Sequence, residues 1–413
     1  MKITNLKTFV VDAFRANYVF VKLETDEGIH GIGEGTLEMK EPTVAAAIDQ
    51  LGAYLIGKNP FQVEHHVEIM NRDSYWRTGP VLRSAIAAVE VAMLDIKGKS
   101  LGVPVYELLG GKHRDSIRCY ANGWFTGART AEEFASKAVE AVALGFKGLK
   151  WDPFGSHYMT MSLAERHHCI EIVAAVRAAV GPSIDLMIEG HGRFDVPTAI
   201  AVAQNLAEFE PTWFEEPVPP ESLDALVEVR SKSPVAIATG ERFFETARFA
   251  DALTKGGADY LQPDISHVGG LTEAKRIATL AHVRNVPICP HNPLGPVANA
   301  TTLHLAAAVS NFSWLETMMS DVPWRGEVVK ENVNFKDGFM AISDAPGLGI
   351  DIDEEACAEH PYKPYDLRHY KGTLTDIRPE NAKPFFQNDT NGGEITPSRH
   401  FNWPFGKSST TAT

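Results

Sequence analysis

The sequence predicts an α/β chain built on a closed (β/α)8 barrel of the TIM type, with an α+β capping domain formed by the N-terminal segment and part of the C-terminal tail. Three observations predict it. From residue 116 to about 342, short apolar runs alternate with helical stretches, which lays parallel strands side by side through helical crossovers. Ahead of them stand a β-meander and one long apolar helix. Nearly every apolar run ends in an ionisable residue, as expected where a barrel gathers its chemistry on the rim at the C-terminal ends of its strands.

The capping domain is expected over residues 1–115. Val19, Val21 and Leu23 alternate with Phe20, Lys22 and Glu24, the period of a strand. Thr25-Asp26-Glu27-Gly28 is turn chemistry, and residues 29–35 return as the partner strand. The pattern then becomes helical: Leu82, Ile86, Val89, Met93 and Ile96 step by 4, 3, 4 and 3, one face of a buried helix. Gly98 and Gly102-Val103-Pro104 supply its stop, a cap followed by a breaker.

The barrel is expected over residues 116–342, with strands at 117–121, 148–151, 185–189, 213–215, 236–239, 260–262, 287–290 and 314–316. Helices are predicted between them at 131–144, 163–180 and 198–208. Beyond residue 342 the periodicity fades. The segment 343–413 carries Tyr362, Tyr365, Tyr370, Phe385, Phe386 and Trp403, and is expected to pack these aromatics on the cap or on a neighbouring subunit. Residues 408–413 are small and polar and are expected to be disordered.

Composition bounds the function. With 39 basic and 53 acidic residues among 413, the net charge of −14 argues against nucleic acid or an anionic membrane as a partner. It leaves room for a small anionic substrate beside a bound metal. Cys119, Cys169, Cys289 and Cys357 form no CxxC pair, and they read as reduced thiols in a cytoplasmic protein. The first residues contain no long apolar leader region, and no apolar stretch approaches the ~18 residues of a membrane span.

The ends of the predicted strands carry the chemistry. They supply Lys150 and Asp152, then Glu189-Gly190-His191, Glu215, Glu241, Asp264, His291 and Glu316. Glu189, Glu215 and Glu241 are spaced 26 and 26 residues apart, one βα unit each. Three carboxylates from adjacent strands converge and repel unless a cation joins them, and oxygen-only ligation favours Mg2+ or Mn2+. Asp264 and His291 follow neighbouring strands, so the carboxylate can fix the tautomer of the imidazole and raise its basicity. His191 points to the same cavity, either acting itself or orienting other groups. Lys150 either bridges to Asp152 or stands as a cation beside a developing enolate.

These residues resemble the enolase superfamily, in its mandelate racemase-like branch of sugar-acid dehydratases. The resemblance covers the chain to about residue 350. It is carried by AVEVAMLDIKGKSLGVP from Ala88, LLGG from Leu108, WFEEPV from Trp213, GER from Gly240, QPDISHVGG from Gln262 and PHNPLGP from Pro290. It implies Glu189, Glu215 and Glu241 as metal ligands, His291 with Asp264 as the base, and His191 as the general acid. It also implies Glu316 as a partner of the substrate carboxylate and Lys150 as the lysine of the second strand. Two departures stand out. The third strand ends in Glu189 where the family more often has Asp. Position 152 is Asp where racemase-type members carry a second lysine, which weakens a racemase reading.

The implied reaction is a β-elimination of water. The proton next to the carboxylate of a 2,3-dihydroxy acid such as galactonate or gluconate is removed, and the 3-hydroxyl leaves to give a 2-keto-3-deoxy acid. The alternatives are an epimerase or cycloisomerase on the same scaffold, with Lys150 and His291 on opposite faces, and a barrel that only binds a sugar acid. The resemblance also implies a homo-oligomer. Specificity is expected from two cap loops, 12–18 and 72–80, with Arg15, Asn17, Tyr75, Trp76 and Arg77 as substrate contacts together with Asp152.

Overall fold

A computed structural model of the chain describes residues 1–73, 75–365 and 377–384. The N-terminal meander has three strands, β1 (Ile3–Val11), β2 (Tyr18–Thr25) and β3 (His30–Glu34), antiparallel in the order β1-β2-β3. The helices α1 (Glu41–Leu55), α2 (Val63–Arg72), α3 (Pro80–Leu101) and α4 (Val105–Leu108) follow. Every residue of α3 from Arg83 to Ile96 is buried, because the helix lies between β3 and the rest of the molecule. Gly31 and Gly33 permit that approach: a Cβ on either would collide with the Ala92 or Ala88 carbonyl of α3. The helix runs through Gly98 and ends at Gly102, whose φ of 69° makes a left-handed cap before Pro104.

The barrel strands are β4 (Ser116–Asn122), β5 (Gly148–Trp151), β6 (Asp185–Glu189), β7 (Trp213–Glu215), β8 (Ile237–Thr239), β9 (Tyr260–Leu261) and β10 (Leu315–Met318). Between them run α5 (Ala131–Ala143), α6 (Leu163–Val180), α7 (Val196–Leu206), α8 (Leu223–Lys232), α9 (Thr246–Lys255), α10 (Leu271–Val283) and α11 (Pro296–Ala308). Neighbouring strands pair in parallel from β4 through to β9, and β10 pairs in parallel with β4. The seventh predicted strand, 287–290, shrinks to the single bridging residue Ile288, paired to Leu261 on one side and Phe312 on the other. Pro287 and Pro290 flank it and lack the N–H donors a longer ladder needs.

Inside the ring, Tyr120, Met187, Trp213, Ala238, Cys289 and Trp314 pack into one apolar layer. Successive side chains on a strand alternate sides, so the residue two positions further on faces inward as well. Those next residues are Asn122, Glu189, Glu215, His291 and Glu316. An apolar floor and an ionisable upper layer therefore come from one strand parity.

Beyond β10 the described residues add short elements. The hairpin β11 (Phe335–Lys336) and β12 (Phe339–Ala341) adds to the edge of β4, with β12 antiparallel to it. Gly347 pairs with Pro104, and α12 (Glu354–Glu359) contacts β1. The Asp12 N–H donates to His360 O at 2.8 Å, and Tyr365 packs on Phe14 with ring centroids 4.9 Å apart. Tyr370, Phe385, Phe386, Trp403 and residues 408–413 lie outside the described residues. All four cysteines are buried and unpaired. Among the described residues no helix is long and apolar enough to cross a membrane.

Candidate metal and catalytic site

Glu189 and Glu215 sit at the last positions of paired strands, where β6 and β7 place them opposite each other. Glu241 joins them because Gly240, at φ 137°, turns the chain just after β8. A Cβ at Gly240 would meet the Phe249 ring and the Gln262 backbone, so the turn requires glycine. The three carboxylates each bring an oxygen within 4.8 Å of the others. Oε2 of Glu189 is buried with no hydrogen-bond partner. Burial, then the charges of Glu215 and Glu241, push the Glu189 carboxyl well above the carboxylate range. For Glu215, burial acts in the same direction, but Lys150 and a bond with Glu189 overcome it and hold the group down at about 2. An orphaned oxygen in a buried, mutually repelling set of hard ligands fits a divalent cation.

Lys150 does not bridge to Asp152. Its ammonium lies 2.8 Å from Glu215, 2.9 Å from Glu316 and 3.6 Å from Glu189, over the Tyr120 ring. Burial alone favours a neutral amine, but Glu215 and Glu316 outweigh it and raise the group well above its ordinary value. Glu316 is wholly buried and spent on protein donors: Lys150, the Asn122 side chain at 2.8 Å and the Asn292 N–H at 2.9 Å.

Two histidines flank the carboxylate arc. His291 Nδ1 lies 2.7 Å from Oδ2 of Asp264, and its Nε2 lies 3.5 Å from Glu241. The Ser266 N–H fixes the other Asp264 oxygen at 2.8 Å. Burial works against protonation of His291, but Glu241, the Asp264 bond and Glu316 prevail and push it up to about 10. A cation held by the glutamates opposes the Glu241 contribution and favours the neutral, basic ring. Asp264, His267 and His291 form a second cluster compact enough for a metal. There His267 is 3.4 Å from Asp264, and its Nε2 lies 2.9 Å from Thr36 O, a carbonyl that can only accept. That nitrogen therefore carries a proton, which leaves Nδ1 as the His267 nitrogen that faces Asp264.

On the other flank, His191 Nδ1 lies 2.6 Å from Oδ2 of Asp152, and its backbone N–H donates to Glu189 at 2.6 Å. His191 takes φ 49°, a left-handed conformation that costs a non-glycine residue about 1 kcal/mol. Asp152, expected at the substrate, is buried behind His191. Burial raises its carboxyl to about 6, against the pull of Arg193 and, more weakly, Arg15.

The cap loops divide. Arg15 is ion-paired to Glu38 at 3.2 Å, and its charge is felt by Asp152, so it overhangs this flank. Asn17 is consumed in packing: it accepts from the Ala13 N–H and donates to Lys363 O. Tyr75 and Trp76 are 79% and 82% exposed, edge to face at 5.2 Å, and Arg77 is exposed beside them. Thr78 of this loop shares a cleft of about 500 Å³ with Pro220, Glu221 and Arg242. Sequence reasoning missed Arg193, Asn122, and the pair of Glu216 with Arg242. Strand parity pointed to Asn122. Arg193 and Glu216 lie beside assigned residues but carried no periodic signal.

Comparison with known proteins adds the lineage of this geometry. Residues 4–110 match the mandelate racemase/muconate lactonizing enzyme N-terminal domain, and residues 133–356 match the enolase C-terminal domain-like family. The chain is 36% identical over 375 residues to a D-galactonate dehydratase of Pectobacterium atrosepticum, covering 89% of this chain and 97% of that protein. A D-galactonate dehydratase of Ralstonia pickettii is 37% identical over 378 residues, at the same coverage. Among solved structures, an enolase-superfamily member from Salmonella Typhimurium superposes with a TM-score of 0.83 at 30% identity, covering 87% of this chain and 98% of that one. A mandelate racemase/muconate lactonizing enzyme from Jannaschia sp. CCS1 gives 0.83 at 31% identity, covering 89% and 100%.

Proposed function

The chain belongs to the mandelate racemase and muconate lactonizing enzyme branch of the enolase superfamily, and from that premise we propose that it is a metal-dependent sugar-acid dehydratase. The observation that carries the reading is the arc of buried Glu189 and Glu215 with half-buried Glu241, and a histidine–carboxylate pair beside it. A divalent cation held by those glutamates, Mg2+ or Mn2+, would supply positive charge to the substrate carboxylate oxygens.

The protein's own groups do the rest. His291 takes the α-proton on Nε2, because Nδ1 is committed to Asp264. Lys150 holds Glu215 and Glu316 ionised and adds its own charge where the enediolate becomes negative. His191 gives its proton to the departing 3-hydroxyl as the C2–C3 double bond forms, and the enol relaxes to a 2-keto-3-deoxy acid. The dehydratase names of the relatives support galactonate or a close stereoisomer as the substrate. The buried free thiols support a reducing, cytoplasmic setting.

An epimerase or cycloisomerase using Lys150 as its second base is less well supported, because that ammonium is locked among three carboxylates. The test is a library of hexonates, pentonates and aldarates incubated with enzyme and Mg2+. A new 2-keto acid from at least one member is the expected result. A stereoisomer of the starting acid with no keto product would overturn the reading in favour of the epimerase.

A further inference from the structure

We infer that Asp152 and Arg193 are positioning residues that convert His191 into a second histidine–carboxylate pair, set on the opposite flank of the carboxylate arc from His291 and Asp264. The inference rests on the dehydratase reading and extends it to residues outside the reacting groups. In strand order the arc is β6, β7 and β8. Asp152 follows β5 and His191 follows β6, whereas Asp264 follows β9 and His291 follows the bridge at Ile288.

The assembly is built rather than incidental. Asp152 is 4% exposed and Arg193 is fully buried. Nδ1 of His191 lies 2.6 Å from Oδ2 of Asp152, and the Phe154 N–H donates to Oδ1 at 2.7 Å. The Arg193 guanidinium bonds to the same Oδ2. It also donates to Gly190 O at 3.0 Å, Gly155 O at 2.8 Å and His157 O at 3.2 Å. One side chain therefore ties the loop after β5 to the loop after β6. The Asp152 carboxylate can only accept, so Nδ1 of His191 keeps its proton and any transfer from the ring runs through Nε2.

The balance of the step follows. In the protonated ring both nitrogens carry hydrogen, and the cation is paired with Asp152. As the electron pair of the enediolate forms the C2–C3 double bond, the C3–O bond breaks. The Nε2 proton goes to that oxygen, and water leaves. The ring ends neutral, still donating from Nδ1 to Asp152, so its orientation is unchanged by the turnover.

The test compares Asp152→Asn with His191→Asn in the full-length, Mg2+-loaded enzyme. Two rates are followed: formation of the keto acid, and exchange of the substrate α-proton with deuterated water. An asparagine offers one acceptor to three donors: Arg193, the Phe154 N–H and His191 Nδ1–H. The ratio of dehydration to exchange should then fall at least about tenfold, toward the ~10²–10⁴-fold of a lost general acid. If His191→Asn is defective while Asp152→Asn keeps the wild-type ratio, the pair is refuted and the dehydratase reading stands. If His191→Asn itself dehydrates efficiently, the role on which the inference rests fails as well. A measurement on the unaltered protein covers the case of a variant that does not fold. With ¹⁵N-histidine labelling, the His191 ring should show a protonated Nδ1 under conditions where the enzyme turns over. A neutral ring with its hydrogen on Nε2 would overturn the inference.

Discussion

Glu90 offers a quantitative test of how the cap is seated on the barrel. It lies on the cap helix α3, fully buried, and accepts from the Leu271 N–H at 3.0 Å, the Thr272 N–H at 3.1 Å and the Thr272 hydroxyl at 2.6 Å in the first turn of α10. Burial raises its carboxyl from 4.5 to about 7, and the three donors only partly offset that. The folded chain therefore holds a proton that the unfolded chain has already lost. Stability attributable to Glu90 is complete below pH 4.5 and is lost as pH rises through 7. At about 1.4 kcal/mol per pH unit, the full loss is about 3 kcal/mol, of which about 1 kcal/mol falls between pH 6 and 8. Glu90→Gln cannot titrate. In denaturant melts at pH 6 and pH 8, the wild type should lose about 1 kcal/mol more than the variant over that interval. Parallel pH profiles for the two proteins would refute the argument, whatever the variant does to absolute stability.

Lys150→Met leaves Glu215 and Glu316 facing each other without the charge between them. Breaking one side of a buried ion pair costs about 3–5 kcal/mol, so the denaturation midpoint of the metal-free protein should drop sharply, and an unchanged midpoint would contradict the assignment. His291→Asn should lose both dehydration and α-proton exchange, whereas His191→Asn should retain exchange and lose dehydration by about 10²–10⁴-fold. Exchange surviving in His291→Asn would place the base elsewhere. Truncation before His360 removes the backbone bond to Asp12 and the Tyr365–Phe14 contact, and should destabilise the cap or cause aggregation. A soluble, fully active truncated protein would show this segment to be dispensable.

The alternation of strands and helices was legible because parallel strands buried on both faces read as short apolar runs with a polar residue at the exit. The ionisable rim was legible for the same reason: Glu189, Glu215 and Glu316 share strand parity with Met187, Trp213 and Trp314 beneath them. The seventh strand was overdrawn, because the run around Ile288 has the right composition but prolines on both sides. The hairpin at 335–341 gave no clear period in so short a stretch. Lys150 and Asp152 illustrate what local pattern cannot settle. Two positions apart at the end of one strand, they look like an ion pair, yet the barrel turns Lys150 toward Glu215 and Glu316 and Asp152 toward His191 and Arg193. Asn17, a plausible loop contact from sequence, is spent on Ala13 and Lys363, partners set by the fold of the whole cap.

The central claim is that three glutamates hold a divalent cation without which the α-proton cannot be removed. It is tested most directly by stripping the protein with EDTA, verifying the absence of metal, and titrating Mg2+ back while keto acid formation is followed. The account predicts no turnover in the stripped protein, recovery at one ion per chain, and no recovery in Glu215→Gln, whose neutral amide is a poor ligand. Full turnover by a verified metal-free preparation would contradict it.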